Sequence, residues 1–116
     1  MEKKFLGKIG EDFACRFLLN KGYKILVRNF RSKFGEIDII AHDGETTIFV
    51  EVKTRWSRLF GRAEEAVTGH KLKRIKKVGE YFCLLNPNLS KKLRIEVVAI
   101  EIDKGKVASA KIFVAT

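Results

Sequence analysis

The stretch GEIDIIAHDGETTIFVEVKTR, residues 35–55, decides the fold. Two apolar runs, EIDIIA and TIFVEV, flank Asp43-Gly44, a dipeptide suited to the two-residue loop of a β-hairpin. Each run carries a carboxylate, Asp38 or Glu51, where a half-buried strand would normally hold Val or Ile, and Lys53 follows two residues later. Side chains alternate along a strand, so Phe49, Glu51 and Lys53 share one side and Ile48, Val50 and Val52 the other. On the preceding strand Glu36, Asp38 and Ile40 share a side. With Asp43-Gly44 as the loop, Asp38 lies opposite Phe49 and diagonal to Glu51, while Glu36 faces Glu51 directly. Like charges opposed across a sheet are destabilising, so three acids and one lysine on a single patch call for further positive charge. Mg²⁺ (or Mn²⁺) would supply it, since such hard cations take one or two carboxylates and keep several waters. The Val52 carbonyl could complete the shell. A solvated face with cross-strand salt bridges explains Glu-x-Lys equally simply, but Ile40 and Phe49 on the same side make this face more than a wet one.

The rest of the chain builds around this hairpin. Phe5, Ile9, Phe13 and Phe17 recur at four-residue spacing with Ala14 and Leu18 alongside, which predicts an amphipathic helix over 5–20 stopped by Gly22. YKILVRNFR (23–31) reads as a strand, GEIDIIAH (35–42) as a second and ETTIFVEVKTR (45–55) as a third. Residues 56–67 read as a loop passing into a helix capped by Thr68 or starting a few residues earlier. Leu72, Ile75, Val78 and Phe82 form that helix's apolar stripe, which ends near Leu85. LRIEVVAIEID (93–103) is a strand, and Lys104-Gly105 turns into a last one over 106–115. The order α-β-β-β-α-β-β, with one strand–helix–strand passage, predicts an α/β fold: a mixed sheet flanked by helices.

At 116 residues the chain reads as a single domain spanning 1–116. No apolar run approaches the roughly 20 residues of a membrane span, and MEKKFLGKIGEDF lacks the apolar stretch of a secretory signal. Cys15 and Cys83 fall in helix-like apolar patterns and read as buried free thiols, which suits a reducing cytoplasm. Two Cys and two His without ligand spacing argue against zinc. The 24 Lys and Arg against 14 Asp and Glu give a net charge of +10, the footprint of a chain that meets a polyanion, most often nucleic acid.

An acid on one strand followed by E-x-K on the next resembles the PD-(D/E)xK nucleases, whose fold is restriction-endonuclease-like; Ile37 stands where that name has proline. More closely, GKIGEDFA (7–14), GYKILVRNFRSKFGEIDIIA (22–41), FVEVKTR (49–55) and FG (60–61) resemble the small bacterial YraN family over nearly the whole chain. One departure is R-I-E-V at 94–97, where R-F-D-V is expected. The resemblance implies that Asp38 and Glu51 ligate Mg²⁺ and that Lys53 orients or deprotonates the attacking water or stabilises phosphate charge. The carboxylates beside Lys53 favour its charged form, which argues for the electrostatic role. Glu11 would match a helix-borne acid near the metal in archaeal Holliday-junction resolvases; its alternative is a helix-N-terminal acid favouring the macrodipole. Glu36 is an outer-shell acid or merely pairs with Arg55 or Lys33. Junction-cleaving enzymes of this fold act as dimers, so a homodimer is expected by analogy.

Basic residues would handle the nucleic-acid backbone: Arg28, Arg31 and Lys33, then Arg55, Arg58 and Arg62, and Lys71, Lys73, Arg74, Lys76 and Lys77 on the second helix. The bland reading of that helix is a solvated face. Trp56 either stacks on an unpaired base or packs under a loop. Two functions follow: a metal-dependent endonuclease acting on DNA, branched or damaged structures included, or a catalytically inactive nucleic-acid-binding module on the same fold.

Overall fold

Helix α1 (Lys3–Asn20) buries Ala14, Cys15 and Leu18, with Ile9, Phe13 and Phe17 half-buried beside them, in this computed structural model of residues 3–56 and 68–115. It ends at Gly22, where φ is 92°. The Gly22 N–H donates to the Leu19 carbonyl and the Tyr23 N–H to that of Leu18, the paired bonds of a Schellman cap, for which glycine carries no Cβ penalty.

Strands β1 (Lys24–Ser32), β2 (Gly35–Asp43) and β3 (Thr46–Arg55) follow, then α2 (Gly69–Leu85), β4 (Lys92–Asp103) and β5 (Lys106–Val114). The order expected from the sequence is the observed one. The sheet runs β1-β2-β3-β4-β5; the β3–β4 pair joined through α2 is parallel and the others are antiparallel. Thr68 caps α2, its hydroxyl accepting from the Lys71 N–H at 3.2 Å. No described helix is long and apolar enough to cross a membrane.

The helices cover opposite faces. Ala14, Cys15 and Leu18 of α1 pack with Ile39, Ile48, Val50 and Val98. Ile75, Val78 and Phe82 of α2 pack with Ile37, Ile40, Phe49 and Ile95. Both helices approach β3 through glycine. A Cβ at Gly10 would collide with the Thr54 hydroxyl, and one at Gly79 would lie 2.5 Å from the Phe49 ring. Cys15 is buried and Cys83 half-buried, and both are free.

The β2–β3 loop differs from expectation. Asp43 pairs with Thr46, so the two loop residues are Gly44 and Glu45 rather than Asp43 and Gly44. Gly44, with φ of 60°, takes the first loop position, where a type II′ turn needs glycine. Asp43 stays in the strand, where its carboxylate accepts from Arg94 Nη2 at 3.3 Å. The strands therefore slide by two residues with parity kept: Ile40, not Asp38, faces Phe49.

Candidate active site

The slide makes a fork. Pairing between β2 and β3 ends at Ile39↔Val50, whereas β1–β2 runs on to Ser32↔Gly35 and β3–β4 to Arg55↔Glu101. Continued, the observed register would put Asp38 opposite Glu51. Instead, Asp38 Oδ2 accepts the Val52 N–H at 2.8 Å and closes the fork with a side chain. A strand residue turns its N–H and C=O toward the same neighbour, so the Val52 carbonyl is directed into the fork as well. Strict alternation also fails here. Ile37 packs with Ile40 on the α2 side while Ile39 belongs to the α1 side, and Asn29 on the facing strand has φ of 54°.

Glu51 is 7% exposed and meets α2. Lys71 Nζ stands 2.8 Å from Glu51 Oε1, and Lys53 Nζ 4.0 Å from the same oxygen. Burial, and then the Glu51 charge, push the Asp38 carboxyl up to about 7 against the opposing Val52 N–H. Burial and then Lys71 lower the Lys53 pKa, outweighing Glu51 and Asp38. The acids beside Lys53 do favour its charged form, as the sequence suggests, but they are not the largest influence on it. For Lys71, burial works against the charge, but the hydrogen bond to Glu51 wins and its pKa is raised. Two acids and two ammonium groups thus share one half-buried site.

Two cavities open on this site, and both are lined by Asp38 and Glu51. One, about 470 Å³, adds Arg31, Glu36, Lys71 and Arg74; the other, about 280 Å³, adds Glu11, Val52, Lys53 and Thr54. Among the described residues no group of three or more His, Cys, Asp and Glu is placed to hold a metal ion. Two carboxylates still fit Mg²⁺, a hard cation that needs only one or two of them beside water and phosphate oxygens.

The sequence comparison agrees with the scale of this unit. Residues 10–100 match the family described as Uncharacterised protein family UPF0102. The chain belongs to that family. A UPF0102 protein of Caldicellulosiruptor bescii is 49% identical over 104 residues, covering 89% of this chain and 87% of that protein. One from Caldicellulosiruptor saccharolyticus is 48% identical over 100 residues (86% and 85%), and one from Dictyoglomus turgidum 44% over 108 residues (92% of each).

In this UPF0102 chain the other expected residues divide. Glu11 lines the smaller cavity, carried there by the Gly10–Thr54 contact. It lies in the middle of α1 rather than at its N-terminus, so the macrodipole does not account for it. Glu36 does not face Glu51. It pairs across β1 with Arg31 at 3.2 Å, not with Arg55 or Lys33, because the slide of β2 carries it past the fork. Arg28, exposed on β1, bonds Asp12 at 2.8 Å with Glu11 at 3.7 Å. Lys33 and Lys77 lie over the Phe34 ring at 5.3 and 4.7 Å. Arg31 and Arg74 line the larger cavity, while Lys73, Lys76 and Lys77 are exposed on α2. Arg55 is half-buried at the end of β3, and Trp56 beside it is 40% exposed. Arg58 and Arg62 lie outside the described residues.

Lys71 is the site residue that sequence reasoning assigned elsewhere, to the backbone-binding face of α2. One signal could have found it. It occupies the third position of α2, in the first turn, where a cation opposes the helix dipole.

Proposed function

We propose that this protein is a Mg²⁺- or Mn²⁺-dependent endonuclease hydrolysing phosphodiester bonds in nucleic acid, most directly DNA, with branched or damaged structures as its targets. The observation that best supports this is the fork itself. Acids from two neighbouring strands line the same two cavities, one raises the other's pKa, and two lysines converge on them. Asp38, Glu51 and the Val52 carbonyl would hold the ion, which supplies Lewis acidity toward the phosphate and an acidified attacking water. The Val52 N–H fixes the Asp38 carboxylate toward that place. Lys53, its pKa lowered, gives up its proton more readily, and the free amine at Nζ could then accept one from the attacking water; in its charged form it would face the phosphate. Arg31 and Arg74 in the larger cavity would seat the backbone, with Lys33, Lys73 and Lys77 beyond them. Glu11 would act from the second cavity. Association of two copies belongs to the same proposal and is read by light scattering.

The test is a panel of single-stranded, duplex, flap and four-way DNA, with RNA counterparts, incubated with Mn²⁺ beside the Glu51→Ala variant. Cleavage is expected from the wild type, with a loss of at least about a hundredfold in the variant at preserved DNA affinity. Intact substrates throughout would end the nuclease reading.

One observation favours the second reading, a nucleic-acid-binding module without catalysis. Lys71, from within the chain, answers the Glu51 charge at 2.8 Å. That reading requires no Mn²⁺ binding at millimolar concentration together with a gel shift at low salt.

A further inference from the structure

We infer that Lys71 is a two-position counter-ion: it rests on Glu51 while no divalent cation is bound, and turns to a substrate phosphate in the larger cavity once one binds. This deepens the nuclease reading and rests on it. Lys71 Nζ stands 2.8 Å from Glu51 Oε1, on the carboxylate that would also ligate the ion. Two like charges on one buried carboxylate repel, so metal and ammonium compete for it. The same side chain lines the cavity of Arg31 and Arg74, and the long flexible lysine stem reaches both places from a fixed helix position.

Among the described residues lining the larger cavity, the other carboxylates near Lys71 are Glu36 and Asp38. Glu36 is held by Arg31 at 3.2 Å, and Asp38, directed at Val52, would share the metal. A phosphate seated between Arg31, Arg74 and Lys71 would then accept from it, and metal binding prepares the phosphate site. Nothing in α2 itself requires this lysine. The Thr68 cap uses its backbone N–H, and its charge opposes the helix dipole. Lys71 is therefore a positioning residue acting through Glu51 before it meets substrate.

The test reads metal affinity without substrate. Mn²⁺ alone is titrated by calorimetry at pH 8 into the wild type, Lys71→Met and Lys71→Arg, each first shown to melt cooperatively. Lys71→Met should bind Mn²⁺ about tenfold tighter than wild type, the lower end of what a charge-assisted hydrogen bond is worth. Lys71→Arg, which keeps the cation, should stay within about threefold of wild type. With Ca²⁺ present, Lys71→Met should bind duplex DNA more weakly than wild type, and without metal the two should bind alike. Unchanged or weaker Mn²⁺ binding by Lys71→Met overturns the inference and leaves the nuclease reading standing. Loss of folding in Lys71→Met marks a purely structural tie and also overturns it. A wild type that binds no Mn²⁺ overturns both.

Discussion

Glu51 and Glu96 are both buried, on neighbouring strands β3 and β4, yet they meet opposite faces of the sheet and opposite electrostatic fates. Glu96 accepts from Arg94 Nε at 2.6 Å and from the Tyr23 hydroxyl at 2.9 Å, while Arg94 reaches Asp43 at 3.3 Å. Burial, then the bond to Glu96, raise the Tyr23 pKa and keep it a donor. The Glu96 network is closed, each charge answered by a partner on the α1 side. Around Glu51 the charges are not settled: a second carboxylate stands close, its pKa is raised to about 7, and cavities open on both. A closed ionic network maintains a fold, whereas an acid pair left in conflict beside open space is the arrangement expected of a working site. Glu96 also answers the departure at R-I-E-V: the acid there serves the α1-side network.

The sharpest way to break this contrast is Glu96→Ala. Removing the carboxylate strands Arg94 and the Tyr23 hydroxyl, and stability in a urea titration should fall by about 3 kcal/mol, as for one half of a buried pair. Metal-dependent cleavage by the folded fraction should persist. Loss of cleavage at unchanged stability would reverse the roles of the two glutamates.

Asp38→Asn should act in the opposite sense on stability. The folded pKa of Asp38, about 7, lies above its ordinary 3.8, so the folded chain holds a proton that the unfolded chain releases. Its favourable contribution is present below about pH 4 and is lost as pH rises through 7. Asn mimics the protonated acid and can still accept from Val52. The variant should therefore gain on the wild type as pH rises from 4 to 8, in paired denaturant curves, while losing Mn²⁺ binding. An advantage independent of pH would remove the conflict from the fork.

The smallest effect belongs to Glu36→Ala. Its pair with Arg31 is exposed, with side-chain exposures of 43% and 78%, and the change should cost no more than about 0.5 kcal/mol. Cleavage should survive it. A loss matching that of Glu51→Ala would return Glu36 to the site.

Sequence by itself determined the seven described elements and their order, the Gly22 helix stop, Thr68 as one of two starts for α2, the parallel crossover and the placing of Asp38 and Glu51 on neighbouring strands. These follow from side-chain periodicity and from capping chemistry, which act within a few residues and are written locally. Only the tertiary structure decided the rest. Asp43-Gly44 suits a turn at either of two positions. In the folded chain Asp43 stays in the strand, bonded to Arg94, and the resulting register moves Glu36 away and leaves the fork at Asp38. Likewise, five basic residues follow one another around the first half of α2, and nothing local ranks them. Helix rotation, set by Phe49 pressing against Gly79, selects Lys71 to enter the acid site, through contacts between residues far apart in the chain.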